Sequence, residues 1–104
     1  MGVRFHDQIC FHCQQSAEKY LKAVLQEAGT RFDRTHDLEK LLVAILPAHA
    51  QLRSLRRGLK FLRRFAVETR YPGDRATTRQ ADAALRWARL VREACRLELG
   101  IRPH

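Results

Sequence analysis

The chain has 104 residues, a formal net charge of +9 and a hydrophobic fraction of 45%. That fraction excludes a disordered tail, and the length suits one domain, residues 1–104, around a single core. Valine, isoleucine and threonine are too sparse to build a sheet, and no apolar run is long enough to span a membrane. The composition therefore predicts an all-α protein.

The first predicted helix covers about Phe5–Ala28. At about 100° per residue, one side of it collects the apolar residues. These are Ile9, Cys10, Cys13, Ala17, Tyr20, Leu21, Val24, Leu25 and Ala28. Gly29 is predicted to end the helix, because glycine adopts a left-handed backbone conformation without a steric penalty.

The second predicted helix is short and covers about His36–Leu46. Thr35 precedes it as a candidate N-cap, and Asp37 and Glu39 place negative charge at the positive end of the helix dipole. Pro47 follows its last residue, and proline cannot continue a helix. The pattern predicts a helix capped at both ends by its sequence.

The third predicted helix, about Ala50–Thr69, has one apolar and one basic side. The apolar side carries Leu52, Leu55, Leu59, Phe61, Leu62, Phe65 and Ala66. The basic side carries Arg53, Arg56, Arg57, Lys60, Arg63 and Arg64, and no acidic residue interrupts it from Gln51 to Val67. Gly58 is expected to weaken the middle of this helix by about 1 kcal/mol relative to alanine.

The last predicted helix covers about Thr78–Leu99, after a turn at Tyr71-Pro72-Gly73. Its inward residues are predicted to be Ala84, Trp87, Leu90, Val91, Ala94, Cys95 and Leu97. Four helices with short connectors predict an antiparallel up-and-down helical bundle.

Three segments of the chain resemble the HEPN domain family. Residues 11–23, FHCQQSAEKYLKA, resemble that family's F-H-x-Q-Q-A-A-E-K-x-L-K-A helix. Thr35-His36-Asp37-Leu38 resembles the T-H-D-L that opens its next helix, and Arg70-Tyr71-Pro72 resembles the R-Y-P that ends the following one. The three segments occur in the family's order and together cover nearly the whole chain.

The resemblance implies a helical bundle that forms a homodimer or a higher oligomer. Such proteins are often encoded beside a minimal nucleotidyltransferase, as two-protein modules of the toxin–antitoxin kind. The family normally has one more helix before the F-H-x-Q-Q helix, and its absence here implies a misplaced start or a truncated variant. An apolar face left uncovered in this way would favour self-association.

Some members of the family are metal-independent ribonucleases that carry an R-x(4–6)-H motif. No histidine follows Arg70 until His104, so the motif is missing from its usual place. Arg31 and His36 have the required spacing, and RNA cleavage needs a base for the 2′-hydroxyl and a cation for the phosphate. Catalysis by Arg31 and His36 therefore stands as one alternative, and a local capping or packing role of His36 as the other.

The net charge predicts an acidic protein, a nucleotide or RNA as the partner. Candidate phosphate-binding residues are the six bases of the third helix together with Lys19, Lys22, Arg70 and Tyr71, of which the resemblance supplies Arg70. The alternatives for the six bases are a solvated outer face and a nucleic-acid-binding module without catalysis. The residues leave open whether the protein is an enzyme.

The pair Cys10 and Cys13 forms a C-x-x-C motif, with His6 on the same helical face. A zinc site would need a fourth ligand, and the apolar neighbours of the two cysteines favour small buried side chains instead. We therefore predict no metal and no cofactor. Three cysteines without an export signal indicate reduced thiols in a cytoplasmic protein.

Overall fold

The computed structural model describes residues 2–32, 34–66 and 75–100, and within these ranges the regular structure is entirely helical. Helix α1 spans Gly2–Glu27, α2 spans Leu38–Ile45, α3 spans Arg56–Leu62 and α4 spans Thr78–Glu98. Short 3₁₀ helices, Ala50–Leu55 and Arg63–Phe65, flank α3. The chain is a four-helix bundle in which α1 packs most extensively against α4, and the prediction of an all-α fold is confirmed. The Ala76 amide, just before α4, donates to Oδ1 of Asp7 near the start of α1 at 2.7 Å. Helices α1 and α4 therefore begin side by side and run parallel, whereas an up-and-down bundle predicts an antiparallel pair.

Helix α1 supplies the longest wall of the core. Its fully buried apolar residues are Cys10, Cys13, Ala17, Leu21, Val24 and Leu25. Ala28 lies beyond the helix end and is exposed, contrary to the prediction. The helix ends as predicted at Gly29, whose φ is +68°, with the Gly29 and Thr30 amides donating to the carbonyls of Gln26 and Leu25.

Helix α2 begins two residues later than predicted, and Asp37 rather than Thr35 is its N-cap. The Asp37 carboxylate accepts a hydrogen bond from the Glu39 amide at 3.0 Å, and the Thr35 hydroxyl accepts one from the Asp37 amide at 3.0 Å. Two successive side-chain turns therefore replace the first predicted helical turn. As a consequence His36 lies outside the helix, directly before its N-cap residue.

The third helical segment is divided rather than continuous. Leu52 and Leu55, and then Leu59, Leu62 and Phe65, are buried at intervals of three residues. A 3₁₀ helix places residues i and i+3 on the same side, so 3₁₀ turns at both ends keep these side chains on the core. All six bases are exposed on the opposite side. Residues 67–69 of the predicted helix lie outside the described residues.

Gly58 sits where α3 crosses α4, and the expectation that it merely weakens its helix is incomplete. The residue is buried, and a Cβ atom built on it would overlap the indole ring of Trp87. The absence of a side chain is therefore what allows α3 and the Trp87 ring to approach each other. Trp87 is half-buried and packs against the core, as predicted.

Helix α4 begins with a capping box, in which Thr77 and Gln80 each accept a hydrogen bond from the other's backbone amide. Ala81, Ala84, Val91 and Cys95 form its buried stripe. The inward placement of Leu90 and Leu97 was wrong, since they are 48% and 63% exposed. Leu90 lies one residue before Val91, and Leu97 lies two residues after Cys95. At about 100° per residue, each side chain therefore points about 100° or more away from the buried stripe.

Candidate functional site

A network of hydrogen bonds around the Glu18 carboxylate joins the middle of α1 to the segment before α2. Nδ1 of His36 lies 3.0 Å from both carboxylate oxygens of Glu18. Nζ of Lys22, one helical turn further along α1, donates to the same carboxylate at 2.9 Å. The charges of Glu18 and Lys22 are thus held together beside the histidine ring.

Two glutamines of α1 complete this network. Nε2 of Gln14 donates to Oε1 of Glu18 at 3.3 Å and to the backbone carbonyl of His36 at 3.2 Å. Nε2 of Gln15 donates to Oε1 of Gln14 at 2.8 Å. Because Gln14 is completely buried and binds both partners, it fixes the His36 backbone relative to the Glu18 carboxylate.

The network keeps Glu18 ionised although its side chain is only 8% exposed. Burial by itself raises the pKa of Glu18, but the hydrogen bonds from Lys22, His36 and Gln14 outweigh burial, so the pKa is lowered from its ordinary value. A carboxylate only accepts hydrogen bonds, so Nδ1 of His36 carries a hydrogen. In the neutral ring Nε2 then has a free lone pair, on a side chain that is 77% exposed.

Arg31 lies in a cleft next to this network rather than within it. The cleft, about 490 Å³, is lined by Arg31, Phe32, Thr35, Lys40 and Ala44. Thr35 lines the cleft and directly precedes His36 in the chain. Arg31 is exposed and makes no ion pair with the described part of the chain. Of the two residues in the R-x4-H spacing, only His36 is therefore anchored by other side chains.

The basic side of the third segment is less uniform than its sequence. Arg63 bridges to α2, with Nη1 2.8 Å from Oε1 of Glu39 and Nε 3.9 Å from Oδ1 of Asp37. The guanidinium of Arg64 lies over the ring of Phe61, 5.3 Å from its centroid. The remaining four are exposed and lack ion pairs within the described ranges: Arg53, Arg56, Arg57 and Lys60. We refer to these four residues as the basic face.

The other candidate phosphate-binding residues are scattered. Lys19 is exposed on α1, whereas Lys22 is engaged by Glu18. Arg70 and Tyr71 lie outside the described residues. Among the described residues, no hydrogen bond or ion pair joins the basic face to the cleft or to the Glu18–His36 network.

The cysteines belong to the core. The thiols of Cys10, Cys13 and Cys95 are all buried, and burial raises the pKa of Cys13 and raises that of Cys95 to about 12. Thiols in such surroundings stay protonated and unreactive at neutral pH. Within residues 2–32, 34–66 and 75–100, no three His, Cys, Asp or Glu side chains converge as metal ligands.

The amino-acid sequence was compared with models of protein families. The HEPN domain model matches residues 2–98. The chain belongs to the HEPN domain family. Neither a curated protein nor a solved structure matches it. No helix in the described ranges is both long and apolar enough to cross a membrane.

The HEPN signature residues explain the network. Gln14, Gln15, Glu18 and Lys22 come from the F-H-x-Q-Q segment, and His36 comes from the T-H-D-L segment, so two of the three family segments meet here. Helical i, i+4 spacing predicts the pair of Glu18 with Lys22, but the bond of Glu18 to His36 was missed. The signal that could have indicated this bond was the presence of both family segments in one chain. Phe32 and Lys40 were also missed, because isolated surface residues carry no pattern.

Proposed function

We propose that this HEPN protein is one half of a two-protein module whose other half is a minimal nucleotidyltransferase, and that it acts there as the toxin-like or nucleotide-binding partner. The observation that carries the proposal is the HEPN match over residues 2–98. The net charge of +9 supports it, because such a charge suits an acidic protein surface or a phosphate-bearing ligand.

The basic face is the surface that fits an acidic partner best. Arg53, Arg56, Arg57 and Lys60 project from consecutive turns of one rigid segment whose opposite side is anchored in the core. These four cations form no ion pair with an acidic side chain in the described residues. Their charges are therefore available to attract an acidic partner surface. Complementary charge of this kind accelerates association and fixes the orientation of the two proteins.

Co-expression with the nucleotidyltransferase encoded in the neighbouring reading frame tests the proposal. The two proteins should co-purify, and Arg53→Glu/Arg57→Glu should weaken the complex. Arg89→Glu/Arg92→Glu is the matched control, since it reverses the same number of charges on the exposed side of α4. A lack of any complex, or equal loss with both pairs of substitutions, would contradict docking through the basic face.

Self-association is the second part of this proposal. A groove of about 410 Å³ between α1 and α4 is lined mainly by apolar surface, including Phe5, Ile9, Leu85 and Ala88. Phe5 and Leu85 are 60% and 51% exposed there. A two-fold axis would bring each groove against its own copy, so that Phe5 of one subunit fills the groove of the other. Leu85→Glu should convert the dimer to a monomer in sedimentation experiments, and Leu97→Glu should not.

A metal-independent ribonuclease is the second candidate function, with His36 as base and Arg31 as phosphate clamp. The observation that favours it is the Glu18–His36 contact, which supports an Nδ1-protonated ring with Nε2 available to accept a proton. The protein should then cut RNA in the presence of a chelator, and His36→Ala should abolish the cutting while leaving the helical circular-dichroism spectrum intact. Unchanged cleavage by that variant would exclude the assignment.

A further inference from the structure

The cleft beside α2 combines cations, an aromatic ring and a hydroxyl in one place. Arg31 and Phe32 come from the connector, and Lys40 and Ala44 come from α2, where they are one turn apart on the same side. Thr35 joins the two sets. The cleft volume of about 490 Å³ lies within the range of small-molecule sites.

The chain builds this cleft through the end of α1. Gly29, with φ of +68°, ends α1, and Arg31 and Phe32 beyond it line the cleft together with Lys40 and Ala44 of α2. The opposite side of α2 holds its core residues Leu38, Leu41, Leu42 and Ile45. Ala44, which is half-buried and small, leaves open a space that a longer side chain would fill.

The electrostatics of the cleft favour an anion. Arg31 and Lys40 are exposed and make no ion pair within the described part of the chain, and the described residues that line the cleft include no acid. The nearby acids of α2, Asp37 and Glu39, are engaged by Arg63 instead. Two cations that line one cleft and have no acidic partner among the described residues match the charge of a phosphate monoester, which guanidinium and ammonium groups bind by charge-assisted hydrogen bonds.

The remaining two contacts favour a ligand that carries a flat ring and a hydroxyl-rich linker. Phe32 is 38% exposed, so its ring is not fully packed in the core. Exposed aromatic rings in basic clefts stack on nucleobases. The Thr35 hydroxyl accepts from the Asp37 amide, so its own hydrogen is free to donate to a ribose or phosphate oxygen.

We infer that this cleft is a mononucleotide-binding site in which Arg31 and Lys40 hold the 5′-phosphate and Phe32 stacks on the base. The inference rests on the nucleotide-binding role proposed above, and it assigns that role to residues outside the basic face. Ala44 provides the floor, and Thr35 is the polar contact between phosphate and base.

Titration calorimetry of the purified protein at low salt, with AMP, ribose 5-phosphate and adenosine as probes, tests the site. AMP should bind more tightly than either fragment. Arg31→Gln and Lys40→Gln should each weaken AMP binding about ten-fold, the loss expected for one charged hydrogen bond. Phe32→Ala should weaken AMP about ten-fold, as expected for a lost stacking contact, while leaving ribose 5-phosphate binding unchanged.

Two controls separate a built site from general attraction to a basic protein. Arg89→Gln removes the same charge from the exposed side of α4 and should leave AMP affinity unchanged. Ala44→Met should block the cleft without altering charge, whereas Val43→Met, on a neighbouring position that is 64% exposed, should not. Each comparison pairs a change in the cleft with an equivalent change outside it.

Several results would overturn the inference. These are an absence of saturable AMP binding, equal affinities for AMP and ribose 5-phosphate, and equal losses from Arg31→Gln and Arg89→Gln. Binding of an RNA oligonucleotide that depends on Arg31 and Lys40, without binding of AMP, would also reject a mononucleotide site. Co-purification of the nucleotidyltransferase with the Lys40→Gln variant would show that the proposed module survives when the cleft assignment fails.

Discussion

Nδ1 of His36 lies 3.0 Å from both carboxylate oxygens of Glu18, which links the middle of α1 to the segment that leads into α2. Eighteen residues separate the two positions in the chain. The Gln14 amide binds both Glu18 and the His36 backbone, so a buried side chain anchors the contact and it is not an isolated surface pair. The stability and the chemistry of this region both depend on it.

Glu18→Gln should destabilise the fold. The substitution removes the charge that Lys22 and His36 bind and leaves the buried Gln14 amide facing another amide, at a cost of about 1–3 kcal/mol in the free energy of unfolding. Urea denaturation measures the loss. Glu39→Gln is the matched control, since the side chain of its partner Arg63 is about half exposed and solvent screening makes the loss smaller. Equal losses would contradict a special role for Glu18.

The contribution of Glu18 to stability should disappear in acid. Folding lowers the pKa of Glu18 below its ordinary value of 4.5, so the native state binds this proton less readily than the unfolded chain does. The stabilisation is then fully present above pH 4.5 and is lost as the pH falls through the lowered native pKa. The difference in unfolding free energy between wild type and Glu18→Gln should shrink over that window. A difference that stays constant into strong acid would refute the assignment.

Gly58→Ala should destabilise the protein although alanine is the better helix former. The helical preference gains about 1 kcal/mol, but a methyl group overlaps the Trp87 ring and forces repacking that costs about 1–3 kcal/mol. Thermal unfolding of Gly58→Ala, Trp87→Leu and the double variant forms a cycle. We expect the smaller side chain at position 87 to relieve most of the penalty, and an additive double variant would argue against contact between the two positions.

His49 and Glu98 should couple in a similar cycle. Nδ1 of His49 lies 2.7 Å from Oε1 of Glu98, and the Gln51 amide donates to the same oxygen, so this cluster ties the start of the third segment to the end of α4. Both side chains of the pair are mostly buried. His49→Ala and Glu98→Gln should show a coupling energy of at least about 0.5 kcal/mol in urea denaturation at neutral pH. Additive effects of the two substitutions on the free energy of unfolding would mean that His49 and Glu98 do not interact.

Periodicity alone predicted the parts of the fold that are set by local rules. The buried side of α1, the stop at Gly29 and the separation of leucines from bases in residues 51–66 all follow from helical spacing. The same rules failed where a neighbouring element decides the outcome. Leu90 and Leu97 are apolar but exposed, because the contact with α1 selects the Val91 and Cys95 side of α4.

In the candidate site, too, local sequence patterns predicted some features, and contacts between distant parts of the chain determined the others. The six bases were visible in the sequence, but the engagement of Arg63 by Glu39 and Asp37 depends on how α2 meets the third segment. Similarly, no local rule joins Glu18 to His36, or reveals that Asp37 replaces Thr35 as the cap and leaves His36 outside the helix. Family resemblance marked these residues without explaining why they occur together.

The claim on which the account depends most is that Glu18 holds Nδ1 of His36 and leaves Nε2 available. Nitrogen-15 NMR of the histidine ring, at a pH where His36 is neutral, reports directly which nitrogen carries the hydrogen. We predict the Nδ1-protonated tautomer in the wild type and a shift toward the ordinary Nε2-protonated form in Glu18→Gln. An Nε2-protonated His36 in the wild type, unchanged by Glu18→Gln, would contradict the account.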